Sequence, residues 1–281
     1  VGIDGGENNG IKMSAEQTGI LVEGKGVDYE RYALNRLFHD FVQKYGITDV
    51  CEVPAKGEKA MPSLYSIAFG EAGCRVTLVN AEEKSKKAWR ELGFKIAYID
   101  CDDLNHTGMD SGQYDLVWNF QHLSQHGEKE ALLAEMTRLS RRYIMSVAVN
   151  RFNPGFFSHR CTHRLFRIPW NHGDIPYMNL FHVRRQFEES GLKIVKAGFV
   201  DMPPFPDSMG IRDLKLHRKE MDLNKADWDS RTLTWMKRGA YPVRIKLLYL
   251  FERLRLPFPL KLMASHLFYI LAEKQSEHQI V

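Results

Sequence analysis

With 281 residues, 44% of them hydrophobic, the chain is long enough for one large domain and apolar enough for a continuous core, which excludes a disordered or fibrous protein. Its 39 basic and 35 acidic residues leave a formal net charge of +4, too balanced for a nucleic-acid footprint, and no nucleic-acid recognition motif adds to it. Cys51, Cys74, Cys101 and Cys161 show no C-x-x-C spacing, which fits reduced thiols and a cytoplasmic setting, and no uncharged apolar run of 18 residues predicts a membrane span.

Residues 1–27 read as a flexible polar tail, unlike a signal peptide, and residues 28–281 as a single domain. Asp28 is placed to cap a helix whose stripe is Leu34, Leu37, Phe38, Phe41 and Tyr45, with Gly46 as its stop. Residues 49–53 are β-branched and apolar enough for a buried strand, which Pro54 and the following loop to Ala60 interrupt. Pro62 suits a first helical position, Leu64, Ala68 and Phe69 recur at helical spacing, and Gly70 or Gly73 ends that helix before a second strand over 75–80. Strand, loop, helix and strand make a βαβ unit, and its helix N-terminus favours an anion. A charged helix over 82–92, closed by Gly93, leads to a third strand over 95–100 and an acidic loop, 101–105. A fourth strand over 114–120 runs into a turn holding His122 and His126, followed by a helix over 128–140 and a fifth strand over 143–149. A helix ending over 183–190, a sixth strand over 192–200 and a last strand over 266–273 complete the pattern. This alternation argues a mostly parallel sheet with helices on both faces.

Two segments break the alternation, about 150–177 and 202–265, both aromatic, basic and punctuated by proline. The first follows the carboxyl end of a strand, where open α/β sheets bind ligands, so both read as substrate-side insertions. Within the second, residues 243–256 interleave Ile245, Leu248, Leu250 and Phe251 with Arg244, Lys246, Arg253 and Arg255. That piece reads first as a lid helix packed on the domain, and second as a peripheral contact for a membrane surface or a lipid-like substrate.

The order of elements resembles the class I S-adenosylmethionine-dependent methyltransferases, over about residues 28–200 and 266–274. The resemblance implies a three-layer Rossmann-like α/β fold, its seven-stranded sheet mostly parallel with an antiparallel last strand, and S-adenosylmethionine as cofactor. In that family an acid and a glycine-rich loop of the form E-x-G-x-G-x-G follow strand one. Here Glu52 keeps the acid, but Pro54 and Lys56 stand at the first two glycine positions and Gly57 is displaced by one. Pro54 has no amide to donate, so Lys56 or Lys59 is left to meet the cofactor carboxylate. The resemblance places the cofactor over Glu52, Pro54, Ala55 and Gly57, then Asn80 and Ala81 at the ribose, Asp100 and Cys101 at the adenine, and Asn119 and Phe120 below it. Asn80 departs from the family's acid at that position and accepts only part of what a carboxylate accepts. The run from Tyr114 to Phe120, with Leu123 and His126, resembles the F-D-L-V-x-x-x-x-x-L-x-H pattern of the branch that methylates small molecules and lipids.

Methyl transfer needs in-line alignment and, for a protonated acceptor, a base, for which histidine is the natural choice near neutral pH. His126 and His159 are therefore the candidate catalytic bases, and His122, Asn150, Asn153, His163 and Trp170 the candidate substrate contacts. His159 and His163 would share a helical face that excludes Cys161, whereas on a strand all three would share one face. No fixed spacing supports a metal there, and none is assigned. Phe156, Phe157, Phe166, Trp170 and Tyr177, beside Arg151, Arg160 and Arg164, suit a flat or greasy substrate with an anionic part, or equally a core for the insertion itself. The expected activity is methylation of a small or lipid-like molecule. The alternatives are altered chemistry on the same cofactor, or a binding scaffold that has lost it. A dinucleotide-binding dehydrogenase is a poor fit, since no G-x-G-x-x-G follows any strand.

Overall fold

The computed structural model describes residues 20–22, 25–56, 63–94, 96–202 and 227–275, so Gly57, Lys59 and Pro62 lie outside the described residues. Seven strands form one sheet: β1 Asp49–Glu52, β2 Arg75–Val79, β3 Ile96–Ile99, β4 Tyr114–Phe120, β5 Ser140–Val149, β6 Leu192–Val200 and β7 Leu267–Lys274. Their order is β3-β2-β1-β4-β5-β7-β6. β1, β2, β3, β4 and β5 pair in parallel, while β7 is antiparallel to both β5 and β6.

Period-two alternation builds two cores from one sheet. Leu116, Trp118, Tyr143, Met145, Tyr269 and Leu271 face one side, while Val117, Ile144, Ile270 and Ala272 face the other. Helices α1 Lys25–Tyr45, α2 Ile67–Glu71 and α3 Glu83–Leu92 cover the first side, where Phe38 stacks on Phe69 at 4.7 Å and meets Trp118 edge-on at 4.9 Å. Helices α4 His122–Gln125, α5 Lys129–Leu139 and, later in the chain, α7 Leu180–Glu189 cover the second through Leu132, Met136, Val183 and Phe187. The first insertion contains α6 Pro154–Leu165, and the second contains α8 Arg231–Lys237, α9 Val243–Leu248 and α10 Phe258–Ala264. Among the described residues, no helix is long and apolar enough to cross a membrane.

Several boundaries differ from expectation for identifiable reasons. Residues 20–22 form a strand parallel to Asp227–Asp229, and α1 begins at Lys25, so the expected tail does not reach 27. Asp28 stands in the first turn of α1, against Arg231 at 2.9 Å, instead of capping it. Helix α2 starts five residues after Pro62; before it, the Ser63 hydroxyl donates to Glu52 and the Ser66 hydroxyl accepts from the Trp118 indole. β5 begins at Ser140, directly from α5, where the Ser140 hydroxyl donates to the Tyr143 carbonyl at 2.8 Å.

Candidate functional site

The order β3-β2-β1-β4 reverses the chain's direction of travel between β1 and β4, which opens a crevice at their carboxyl ends. Backbone strain concentrates on that side. Asn80, Gln121 and Asp201, with φ of 53°, 58° and 61°, directly follow β2, β4 and β6 in the left-handed region.

Glu52 ends β1 fully buried. Its Oε1 accepts from the Ser63 hydroxyl at 2.7 Å, while Oε2 is buried with no hydrogen-bond partner among the described residues. Burial pushes the carboxyl up to about 7, against the opposite pull of Ser66 and Ser63. The loop behind it offers few donors: the Val53 amide is engaged by the Trp118 carbonyl at 2.9 Å, Pro54 has none, and the Ala55 amide donates to the Val79 carbonyl at 2.8 Å. Lys56 is exposed, and its charge acts on both His122 and His126 across the crevice.

The β4 turn holds two histidines in different settings. The Asn105 amide donates to Glu128 Oε2 at 2.7 Å, which turns Asn105 Oδ1 toward His126 Nε2 at 2.9 Å. An amide oxygen only accepts, so Nε2 of His126 carries the hydrogen and Nδ1 keeps the lone pair. His122 lies 5.5 Å from His126 between ring centroids, with Nε2 buried and without a hydrogen-bond partner among the described residues. Burial, with the charges of His126 and Lys56 adding to it, pushes His122 down to about 4, so it is neutral at physiological pH.

In the first insertion, Asn153 accepts the Gly155 amide at 2.7 Å and Pro154 takes the first turn, so α6 starts there and brings His159 and His163 onto one face. His172 joins them from the following loop, and Trp170 packs against all three rings at centroid distances of 5.7, 5.1 and 4.8 Å.

No family model matches the sequence, and no curated protein matches it significantly. The structure is similar to that of a magnesium protoporphyrin IX methyltransferase from Synechocystis PCC 6803 solved with bound S-adenosylhomocysteine. That match has 12% identity over 94% of this chain and 89% of that one, with a TM-score of 0.52. It is also similar to the cyclase SpnF, at 10% identity over 85% of this chain and 80% of that one, with a TM-score of 0.50. The fold is that of the class I S-adenosylmethionine-dependent methyltransferases.

Against the methyltransferase fold, the expected site residues divide. Glu52, Pro54, Ala55, Asn80, Ala81 and Phe120 gather at the crevice, with Phe120 stacked on Tyr65 at 4.2 Å. Asn80 has both ends of its amide engaged by the Cys101 backbone, at 2.8 and 2.9 Å, and so ties the ends of β2 and β3 together. Asp100 is exposed and 3.8 Å from Lys86. Asn119 points away from the crevice, held by Ser146 at 3.1 Å and Met136 at 3.2 Å. Asn150 and Asn153 are buried, and their amides donate to the carbonyls of Leu262, Ser265, Met263 and Ala264. They position the connection into β7 instead of opening to a pocket.

Sequence reasoning missed a second buried group on the same side of the sheet. His266 Nδ1 lies 2.9 Å from Asp201 and 3.4 Å from Glu30, whose Oε1 accepts from Tyr65 at 2.6 Å. Burial raises the Asp201 carboxyl. These residues are dispersed over 236 positions of sequence, from Glu30 to His266, and only the two strand ends that flank Asp201 and His266 hinted at the pairing.

Proposed function

We propose that the chain is an S-adenosylmethionine-dependent methyltransferase acting on a small or lipid-like molecule. The observation that carries this reading is Glu52: a buried carboxyl with one oxygen lacking a partner among the described residues, placed by β1 at the crevice of a methyltransferase fold. Such a group suits the ammonium of the cofactor's methionine portion. The amides of residues 53–55 do not suit its carboxylate, since two are engaged and one is absent, so Lys56 takes that part. Asp100 and Cys101 border the adenine side, and Asn80 shapes the ribose side through its hold on Cys101.

The cofactor supplies an electrophilic methyl group; the chain has to align the acceptor and remove its proton. We assign the base to His126, whose Nδ1 lone pair is fixed by Asn105 and Glu128. His159, with Nε2 held 3.1 Å from His163 Nε2, belongs with Trp170 to the acceptor side. A lipid-like acceptor is favoured by the apolar surface joining the two insertions: Phe152 meets Phe181 at 6.3 Å, and Phe181 meets Phe258 at 6.0 Å, all three exposed. Beyond it Val243 is 70% exposed and Leu247 57%, interspersed with Arg244 and Lys246, a composition that suits the surface of an anionic bilayer.

The alternative of other chemistry on this fold is favoured by the altered loop, since one structural neighbour is named as a cyclase. Formation of S-adenosylhomocysteine in a screen of hydroxyl, amine and carboxylate acceptors, lost in His126→Ala, supports methyl transfer. Cofactor binding without turnover on any acceptor class argues for the alternative.

A further inference from the structure

We propose that His159, His163 and His172 form a divalent transition-metal site, with zinc as its first candidate. His163 is the pivot. It is 3% exposed, and its Nδ1 faces the carbonyls of Ile168 and Pro169 at 3.3 and 3.2 Å. Carbonyl oxygens only accept, so Nδ1 carries the ring hydrogen and Nε2 presents its one lone pair inward. His159 Nε2 and His172 Nε2 each lie 3.1 Å from that same nitrogen. The three ring centroids form a nearly equilateral triangle, with sides of 4.9, 4.9 and 4.7 Å.

Three imidazole nitrogens within 4.8 Å of one another offer a ligand set. Zinc–nitrogen bonds of about 2.0–2.1 Å separated by 3.1 Å between nitrogens imply an angle at the metal of about 100°, near tetrahedral. A carbonyl partner on the outer nitrogen is what orients a metal-binding imidazole and sets its tautomer. An all-nitrogen set selects zinc, copper, nickel or iron over magnesium and calcium, which take oxygen. Cys161 is exposed and off this face of α6, so it takes no part.

The loop that delivers His172 is built to stay in place. The Trp170 indole donates to the Gly173 carbonyl at 2.8 Å, the Asp174 amide donates to the Ser124 carbonyl at 2.6 Å, and Lys129 pairs with Asp174 at 2.6 Å. Gly173 has φ of 99°, and a Cβ there would fall 2.6 Å from the Ser124 carbonyl oxygen. That anchorage puts the triad beside α4, which carries His122. His159 and His172 are half-buried and His163 is buried, so the cluster lies at the edge of the insertion and not deep in the sheet core. The site rests on its own geometry and does not require the methyltransferase reading, in which His159 lies on the acceptor side.

The test is metal content of the whole chain, stripped with chelator, reloaded with zinc and exchanged into metal-free buffer. One zinc per chain is expected, with affinity falling at least about 100-fold in His159→Gln and in His172→Gln. These half-buried positions are chosen because His163→Ala risks unfolding. Cys161→Ser should keep the metal, and so should His266→Gln, which disrupts the Glu30, Asp201 and His266 group. Cobalt loading should give visible absorption of tetrahedral strength that disappears in the two triad variants. No zinc retained by the wild type, retention in both folded triad variants, or a loss that follows Cys161→Ser or His266→Gln would each overturn the proposal.

Discussion

Replacing Glu52 by glutamine isolates the electrostatics of the crevice. In the folded chain the carboxyl is pushed from an ordinary value of 4.5 up to about 7 by burial. The sign follows from linkage: the unfolded chain releases this proton near 4.5 and the folded chain only near 7, so stability falls as pH rises through that interval and levels off above it. The full penalty is about 3 kcal/mol, most of which develops between pH 5 and 8. A glutamine in its place carries no charge at any of these pH values, so the stability of Glu52→Gln relative to wild type should increase by about 2–3 kcal/mol from pH 5 to pH 8. Urea unfolding followed by tryptophan fluorescence measures this, and the buried Asp201 cancels because both proteins contain it. A stability difference that does not change with pH would refute the buried, ionisable assignment. The same reasoning makes a cationic ligand bind more tightly as pH rises from 6 to 8, because it stabilises the ionised form, and Glu52→Gln should abolish that dependence.

Three further outcomes are expected. Asn105→Ala frees Nε2 of His126 and should lower turnover about 10-fold or more while leaving cofactor affinity within a factor of two or so, measured by steady-state kinetics beside calorimetry; equal losses in both would show that Asn105 acts on the fold. Gly173→Ala should destabilise the chain by more than about 1 kcal/mol in thermal unfolding, since it meets both an unfavourable φ and the Ser124 carbonyl. Flotation with anionic vesicles at low salt should carry the wild type and fail for Leu247→Asp combined with Leu250→Asp, whose exposed side chains are each worth about 1.5–3 kcal/mol of burial; flotation unaffected by the pair would remove the membrane contact.

Where the sequence was legible, a local pattern and a tertiary outcome coincided. β4 falls on the residues its apolar run predicts because it is buried along nearly its whole length, and β6 does so because Gly191 and Asp201 bound it, although most of it is only half-buried. The crevice was legible through Glu52, an acid at the carboxyl end of a fully buried strand, where an ionisable group is costly. Asn80, Asn119, Asn150 and Asn153 are each engaged within the chain, which their place in the sequence does not show. An asparagine beside a strand end satisfies a ligand or a stray backbone carbonyl equally well, and only the fold shows which group lies within reach. The histidine triad was half visible. The four-residue spacing of His159 and His163 is a helical signal, and Asn153-Pro154 announces that helix, but His172 arrives through a loop whose path depends on Ser124 and Gly173. The group formed by Glu30, Asp201 and His266 was not legible, since it joins three elements distant in sequence.

The most direct test of the central claim is calorimetric titration of the folded chain with S-adenosylmethionine and with S-adenosylhomocysteine, repeated on Glu52→Gln. A cofactor held at the β1 crevice predicts binding of both by the wild type and a marked loss of affinity in the variant. Absence of binding by well-folded wild type, or equal affinity in the variant, would contradict it.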